Sequence, residues 1–289
     1  MNKHVTLVFS AYQSHKLLSK IIKKLDKNYK ILVIENSLDI QLKTSLENKF
    51  KNVEVIIPDQ NLGLAKSYNL GIKKSKTKYV FLNNPDHEIK NETIKKLLLC
   101  AEKIKKFGIL SPTYINEKVY KNYEVYTPKI DENSSIFKKY AIKEVDIIDN
   151  CFFVNRNIVK KNLFDENFFL YFETFDFCKQ LNKKGIKLFV CNKIKYAHSG
   201  ASSVDNKFVK IVKLTRAFHY NWSKFYFFKK NYSYLYALRK ILPNIAKSFK
   251  KILISIIKLD KNNLIVGLIE LYGATTSALL LKPFYRPKM

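Results

Sequence analysis

The sequence predicts an α/β fold with a mostly parallel, Rossmann-like central sheet flanked by helices and a C-terminal helical extension. Short apolar strands alternate with helices over the first 106 residues, which is typical of a doubly wound sheet. After residue 205 the sequence becomes rich in aromatic and basic residues at helical spacing. The 289 residues and the 47% hydrophobic content suffice for one large domain with an appendage. We therefore expect a domain at residues 1–205 and a separate region at 206–289.

Four strand–helix pairs account for the first third of the chain. Strands are predicted where β-branched and aromatic residues run together, and helices where apolar residues recur every three or four positions. The predicted strands are residues 5–10, 29–34, 53–57 and 78–86, and the predicted helices are residues 14–25, 38–50, 61–74 and 92–106. Right-handed crossovers bring the carboxyl ends of parallel strands to one edge, so residues 10–12, 35–36 and 84–86 are expected to form one pocket.

The stretch at residues 78–86 shows this most clearly. Its buried strand stops at Asn-Pro-Asp, which leaves the Asp86 carboxylate just outside the sheet, where open α/β sheets bind ligands. The same three residues are also ordinary turn chemistry.

The middle of the chain is less regular. It is predicted to comprise hairpins or loops at 107–140, a strand at 145–154, a short helix at 156–163, an aromatic loop and a helix stopped by Gly185 within 164–185, a strand at 187–191 and a loop at 196–202.

Aromatic residues and cations are interleaved over residues 207–239, and residues 241–259 combine an Ile/Leu face with lysines. Residues 264–281 are apolar except for Glu270 and have about the minimum length for a membrane span. Two interpretations remain open. The region is either a helical lid packed on the main domain or a platform of basic amphipathic helices on a membrane surface.

The net charge of +29 comes almost entirely from lysine, because 49 of the 53 basic residues are Lys. Nucleic-acid readers rely on the arginine fork, so we expect no nucleic-acid partner and prefer an anionic membrane surface or a nucleoside diphosphate. The four cysteines lack metal-site spacing, and the N-terminal apolar run is too short for a signal peptide. We therefore expect a cytoplasmic protein, peripheral at the inner face of the cell membrane.

Five motifs follow one another in a recognisable order. They are V-I-E-N-S at 33–37, N-L-G-L-A-K-S-Y-N-L-G-I at 61–72, L-N-N-P-D at 82–86, F-D-E-N-F-F-L-Y-F-E at 164–173 and H-S-G-A-S-S at 198–203. In this order and spacing they resemble the family-2 glycosyltransferases of the GT-A fold, specifically the rhamnosyltransferase-like bacterial branch. The resemblance covers residues 5–203, about two thirds of the chain.

The resemblance implies transfer of a sugar, with inversion, from a nucleotide diphosphate sugar (dTDP- or UDP-linked) to a hydroxyl of a cell-surface glycan or lipid-linked precursor. It assigns Tyr12 and Glu35 to the base and ribose, and Asn61 and the Gly63 backbone to the nucleotide. It assigns Asp86 to Mg²⁺ or Mn²⁺ across the diphosphate. Asn84 would contact the sugar or a metal-bound water, and His198 the metal or the diphosphate. Simpler explanations exist for three of them: Asn61 as a helix cap, Gly63 as a tight-turn residue and His198 as an ordinary loop histidine.

One departure from the family pattern concerns the catalytic base. The family's E-D-x-D places an Asp where this chain has Thr174, and a hydroxyl is not basic near neutral pH. Either Glu173 or Asp176 serves as the base, or the chain is a weak or inactive nucleotide-sugar-binding relative. A second departure, the polar pair Asp149-Asn150, is expected to reshape the sugar pocket.

Overall fold

The computed structural model describes residues 4–104, 106–127, 129, 134–198, 208–283 and 285, and only the backbone of His198. The described residues form two compact units. The first lies within Met1–Leu62, Lys66–Phe164 and Phe177–Asp205, and the second within Gly63–Ala65, Asp165–Asp176 and Asn206–Met289.

The first unit is built on a mixed sheet, which has nine strands within the described residues. The strands of the unit are β1 (Val5–Ala11), β2 (Lys30–Glu35), β3 (Val53–Ile56), β4 (Tyr79–Asn83), β5 (His87–Glu88), β6 (Ile109–Tyr114), β7 (Tyr123–Glu124), β8 (Ile142–Val145), β9 (Ile147–Ile148), β10 (Phe152–Asn155) and β11 (Leu188–His198). The order is β3-β2-β1-β4-β10-β6-β11-β5, with β8 on β11 and with β7 and β9 forming a separate pair.

Helices flank this sheet and continue into the second unit. They are α1 (His15–Lys24), α2 (Ile40–Lys49), α3 (Gly63–Lys74), α4 (Asn91–Lys103), α5 (Ser135–Tyr140), α6 (Arg156–Val159), α7 (Glu173–Lys183), α8 (Val209–Asn231), α9 (Tyr234–Ile257) and α10 (Lys261–Ala278). The predicted stop of α7 is confirmed, because Gly185 follows its end with φ +68°.

The parallel register of β1, β2 and β4 aligns the ends of these strands. Ala11 lies opposite Glu35, and Phe9 lies opposite Asn83. The three strands are apolar and buried on both faces, as in a parallel sheet covered by helices. The polar residues that follow them therefore lie at the same edge, and the predicted alternation of strands and helices is confirmed here.

The second half of the sheet differs from the predictions. Residues 107–140 contain β6, a buried strand of the main sheet, and β11 continues to His198 through part of the predicted loop. The predicted strand at 145–154 is broken between β9 and β10, where Cys151 has φ 63°. The break coincides with Asp149 and Asn150, whose side chains bond to the hydroxyl of Tyr120, 29 and 30 residues away in the chain. These bonds are tertiary contacts, which the local sequence pattern does not contain.

The second unit contains α8, α9 and α10 packed on one another. Its core includes Phe225, Ala237, Ile241 and Ala274. Close approach depends on a small residue, since a Cβ on Gly273 would lie 2.3 Å from the carbonyl oxygen of Phe218.

Crossing a bilayer requires a helix of sufficient length and apolar character, and none of the helices among the described residues meets both conditions. This includes α10, which covers most of the 264–281 stretch.

The contact between α3 and β1 depends on the absence of a side chain at Gly71. An added Cβ would lie 2.4 Å from Cγ1 of the buried Val8. We expect Gly71→Ala to lower the free energy of unfolding by about 2 kcal/mol through overpacking, measured by urea denaturation. Lys74→Ala on the same helix is the control, and equal stability of the two variants would contradict this close packing.

Candidate functional site

Tyr12 and Glu35 meet at the edge where β1 and β2 end. The Glu35 side chain is buried, and its Oε1 accepts the Ser37 amide at 2.6 Å. Among the described residues, Glu35 Oε2 and the Tyr12 hydroxyl are both buried without a hydrogen-bond partner. Burial raises the pKa of Glu35 to about 7, and burial together with the Glu35 charge raises the pKa of Tyr12. Buried polar atoms left unsatisfied in this way are suited to bonds with a ligand.

Asn36, the next residue after Glu35, is by contrast fully bonded. Its Oδ1 accepts the Leu62 amide at 3.0 Å, and its Nδ2 donates to the hydroxyls of Ser67 at 3.0 Å and Ser10 at 3.3 Å. Its own amide donates to the carbonyl of Ala11 at 2.9 Å. Asn36 thereby links the ends of β1 and β2 to the segment before α3. We assigned it no role from the sequence, although an Asn directly after an apolar strand was a usable signal.

Asn84 and Asp86 lie in the turn after β4. The Tyr68 hydroxyl donates to Asn84 Oδ1 at 2.9 Å, and the His87 amide donates to the Asn84 carbonyl at 3.1 Å. These bonds hold the turn that carries Asp86, which is 9% exposed with its Oδ1 4.0 Å from His87 Nε2. The turn is therefore anchored at both of its ends.

A buried layer lies next to Asp86. His87 is fully buried, its Nδ1 is 3.6 Å from Cys151 Sγ, and its ring contacts that of Tyr196 edge-on with centroids 5.5 Å apart. Burial, and secondarily the charge of Asp86, raises the pKa of the Cys151 thiol. Neither His87 nor Cys151 was singled out from the sequence, because their approach depends on pairing between distant strands.

The pair Asp149-Asn150 is part of a polar cluster with two tyrosines. The Tyr120 hydroxyl donates to Asp149 Oδ2 and accepts Asn150 Nδ2 at 2.8 Å, while the Tyr196 hydroxyl donates to Asn150 Oδ1 at 2.5 Å. Burial raises the pKa of both tyrosines, which keeps them protonated as donors. Through the ring contact between Tyr196 and His87, this cluster adjoins the turn at Asp86.

Mg²⁺ or Mn²⁺ would have to rely on few protein ligands here. Within the described part of the chain, no group of three or more His, Cys, Asp or Glu side chains is arranged to hold a metal. The Asp86 carboxylate is nevertheless a hard oxygen ligand at the sheet edge, and Mg²⁺ commonly takes one or two carboxylates together with substrate phosphates. The donor set therefore fits a cation held mainly by a diphosphate.

The predicted role of His198 lies outside the described side chains. Its backbone pairs with His87 in the β5–β11 ladder. The rest of the motif at 198–203 is also outside the described residues.

Asn61 and Gly63 lie at the start of α3. The N-cap position is occupied by Leu62, which makes no side-chain capping bond. Gly63 has φ +70°, and a Cβ there would lie 2.3 Å from the carbonyl oxygen of Phe169, which accepts the Leu64 amide at 2.8 Å. Glycine is thus required both by the backbone conformation and by the close approach of the aromatic segment. These contacts are compatible with the tight-turn explanation.

Of the two candidate bases, Asp176 is fully buried and engaged in an ion pair. Its Oδ2 accepts Lys230 Nζ at 2.7 Å, and its Oδ1 accepts Asn231 Nδ2 at 2.8 Å. Lys230 also contacts Asp165 Oδ2 at 2.7 Å. Burial alone would lower the pKa of Lys230, but the bonds to Asp165 and Asp176 outweigh it and raise that pKa. Asp176 thus ties the first turn of α7 to the end of α8.

Glu173 is the first residue of α7 and is 3% exposed. It follows two non-glycine residues in the left-handed region, Tyr171 with φ 70° and Phe172 with φ 63°. Burial raises the pKa of Tyr171, while Arg216 opposes this and Glu173 adds to it, which places both charges near the phenol. Consecutive left-handed residues are strained and are found preferentially at functional sites.

Comparisons with known proteins agree with this architecture. A family model described as "Glycosyl transferase family 2" matches residues 7–163. The hexosyltransferase Agl10 of low-salt glycan biosynthesis from Haloferax volcanii is 22% identical over 208 residues, which cover 68% of this chain and 67% of that protein.

Two solved structures resemble the whole fold. One is GalNAc-T7 with UDP, GalNAc and Mn²⁺, with a TM-score of 0.55 and 13% identity over 84% of this chain and 57% of that one. The other is S. aureus TarS 1–349, with a TM-score of 0.50 and 15% identity over 92% of this chain and 90% of that one. These likenesses show the GT-A fold.

The raised pKa of Glu35 predicts a pH-dependent stability. The folded state favours the protonated acid, so its stabilising contribution is complete below the ordinary pKa of 4.5 and is lost as the pH rises to about 7. We expect the wild type to lose about 3 kcal/mol of unfolding free energy across this window relative to Glu35→Gln. Denaturant titrations at several pH values measure it. Glu54→Gln, at an exposed position on β3, is the control, and its stability should vary with pH as that of the wild type does. Parallel curves of unfolding free energy against pH for Glu35→Gln and the wild type would refute the raised pKa.

Proposed function

Since the chain belongs to glycosyl transferase family 2 and has the GT-A fold, we propose that it transfers a sugar with inversion from a nucleotide diphosphate sugar to an acceptor hydroxyl. The acceptor is a cell-surface glycan or a lipid-linked precursor, met at the cytoplasmic face of the membrane. The observation that carries the proposal is the common sheet edge at which Tyr12, Glu35 and Asp86 follow three neighbouring parallel strands. Ligands of open α/β sheets bind at this edge.

The nucleoside end of the donor occupies the Tyr12 and Glu35 edge. The buried Oε2 of Glu35 accepts hydrogen bonds from ribose hydroxyls or from the base, and the Tyr12 hydroxyl bonds to the same moiety. Asn61 and the Gly63 backbone lie along the nucleotide. UDP is the first nucleotide to test, because the similar GalNAc-T7 structure contains UDP. The rhamnosyltransferase-like motifs make dTDP the second nucleotide to test. The transferred sugar is a hexose or deoxyhexose.

The diphosphate end occupies the turn at Asp86. Asp86 would hold Mg²⁺ or Mn²⁺ across the diphosphate, with His198 as a further ligand and Asn84 positioning the sugar. The GalNAc-T7 structure contains Mn²⁺ together with UDP, which supports this choice of metal. When bound, the cation supplies positive charge that stabilises the departing diphosphate. The bonds of Asn84 to Tyr68 and His87 hold this turn in position before the donor binds.

Glu173 is the residue that we propose as general base. The acceptor oxygen forms a bond to the anomeric carbon as the bond from that carbon to the diphosphate breaks. The acceptor proton passes to the Glu173 carboxylate, and the electron pair leaves with the nucleoside diphosphate. Two observations support Glu173 over Asp176. Both oxygens of Asp176 are engaged by Lys230 and Asn231, and the strained residues Tyr171 and Phe172 directly precede Glu173.

A second candidate function is a weak or inactive nucleotide-sugar-binding relative. Thr174 at the expected base position motivates it. Donor binding is common to both functions, so only turnover separates them.

The first prediction concerns the metal. We expect titration calorimetry with UDP, dTDP and GDP to show one nucleotide binding more tightly with Mn²⁺ than without it. Asp86→Ala should weaken the Mn²⁺-dependent binding by about 100-fold or more, because it removes the carboxylate ligand. Asp59→Ala, at an exposed position after β3, is the control. Metal-independent binding of equal strength in both variants would contradict the role of Asp86.

The second prediction separates the two carboxylates. Glu173→Gln should lower the rate of nucleoside diphosphate release by about 10²- to 10⁴-fold and leave donor affinity unchanged, because it removes only the base. Asp176→Asn should lower the unfolding free energy by about 2 kcal/mol and leave the turnover of the folded protein near wild type, because it weakens a charge-assisted contact to Lys230. Wild-type turnover in Glu173→Gln would rule this base out. A large gain of turnover in Thr174→Asp from an inert parent would favour the second candidate function.

A further inference from the structure

The outer face of α9 exposes a continuous row of large apolar side chains. We call this row the outer stripe; its members are Leu235, Leu242, Phe249, Leu253, Ile256 and Ile257. They recur at intervals of seven or four positions, or close to them, so they share one side of a helix with 3.6 residues per turn. Leu235 is 77% exposed and Ile257 is 82% exposed. Exposed apolar rows of this extent mark interaction sites.

The outer stripe is not needed for packing within the second unit. The opposite side of α9 supplies Ala237 and Ile241 to the core shared with Phe225 of α8 and Ala274 of α10. Ser248 and Ser255 of that side are buried as well. The helix therefore has one complete inner face and a second apolar face turned to solvent.

Cations flank the outer stripe on one side. Arg239 and Lys250 border it at exposed positions. Lys247 and Lys240 are also exposed but lie further around the helix, towards α8, where Lys240 Nζ is 5.8 Å from the centroid of the Phe228 ring. No Asp or Glu occurs in α9. The neighbouring Lys251 is neutralised by Glu270, whose other oxygen accepts the Ser248 hydroxyl at 3.0 Å. The cations that border the stripe thus have no carboxylate partner among the described residues, whereas Lys251 near the inner face is paired with Glu270.

Lys224 of α8 adds to this charge. Its Nζ donates to Asn244 Oδ1 of α9 at 2.7 Å. Burial, and then the charges of Lys247 and Lys240, lowers the pKa of Lys224. A group of like charges without an acidic partner among the described residues is suited to binding an anion such as a phosphate.

We propose that the outer stripe of α9 docks on the surface of an anionic lipid bilayer, with its apolar side chains in the acyl–headgroup boundary and the bordering Arg239 and Lys250 on lipid phosphates. Lys224, Lys240 and Lys247 add longer-range attraction to the anionic surface. The combination of an apolar face with flanking lysines is that of an interfacial helix. This surface specifies how the protein would reach a lipid-linked acceptor, yet it does not depend on the donor site.

Two other occupants fit less well. A second copy of this chain meeting stripe to stripe would bring its lysines towards identical lysines, with no acidic residue of α9 to pair with them. A nucleic acid would satisfy the lysines, but it would leave the aliphatic Leu and Ile side chains in contact with a charged backbone. Lipid is the occupant that uses both the apolar and the cationic part of the surface.

Co-sedimentation of the full chain with vesicles tests the proposal. One set of vesicles is phosphatidylcholine alone, and the other contains 30% phosphatidylglycerol, a fraction of about one anionic lipid in three. We expect binding to the anionic vesicles and little to the neutral ones. Leu242→Gln with Leu253→Gln should remove it, and Arg239→Gln with Lys250→Gln should weaken it roughly 30-fold, about fivefold for each cation. All four positions are exposed, so folding should persist.

Matched controls carry the same changes on the first unit. Ile40→Gln with Leu99→Gln removes two exposed apolar residues of α2 and α4, and Lys23→Gln with Lys24→Gln removes two exposed lysines of α1. Both controls should bind anionic vesicles as the wild type does. Titration of every variant with UDP, dTDP and GDP, each with Mn²⁺, reports the donor site independently, so a failed membrane proposal and a failed function are distinguishable.

Several results would overturn the proposal. One is the absence of wild-type binding to anionic vesicles, and another is undiminished binding by both α9 variants. A concentration-dependent dimer that only the leucine variant disrupts, without vesicle binding, would identify a second copy as the occupant. Salt-dependent DNA binding that only the variant Arg239→Gln with Lys250→Gln loses, again without vesicle binding, would identify nucleic acid.

Discussion

The parallel register of β1, β2 and β4 is the constraint on which the proposed donor site depends. These strands are largely apolar and buried on both faces, and most of their polar neighbours follow where the strands leave the sheet. Because the strands point the same way, their polar continuations emerge at one edge and in step, with Ala11 beside Glu35 and Phe9 beside Asn83. A shift of one residue would exchange the faces of every side chain along a strand and disperse the site. The strand register that packs the core therefore also sets the geometry of the proposed donor site.

The polar residues at this edge differ in how completely they are hydrogen-bonded within the fold. Asn36 uses both side-chain atoms in bonds to the chain, which makes it a fixed link between strands and α3. Its neighbour Glu35 keeps one buried oxygen without a bond among the described residues, and its pKa is raised accordingly. Desolvation of a carboxylate is unfavourable in the folded protein alone and becomes useful when a ligand donates hydrogen bonds to it. Adjacent residues of one motif thus have different physical roles.

The second unit includes the first turn of α7, around Thr174. Thr174 removes the carboxylate from one position, and two flanking carboxylates remain in the first turn of α7. Asp176 is committed to Lys230 and Asn231 of α8, which stabilises this turn. Glu173 lies after two left-handed residues, a strained conformation that the aromatic contacts of Phe172 with Tyr220 and Phe227 help to hold. The ion pair of Asp176 with Lys230 therefore fixes the turn that also carries Glu173.

The sequence by itself determined the alternation of strands and helices in the first third of the chain, the polar strand ends and the family motifs, because periodicity, turn residues and strand direction are local properties. It also identified residues 241–259 as a segment with an Ile/Leu face and lysines, since helical spacing is local too, but which apolar residues stay exposed as the outer stripe was visible only in the structure. Only the tertiary structure decided the break at Asp149-Asn150, the burial of His87 beside Cys151 and the pairing of Asp176 with Lys230, 54 residues away. Each of these depends on which distant side chain arrives next to a given residue. Burial and charge pairing are properties of that arrangement, and no local pattern contains them.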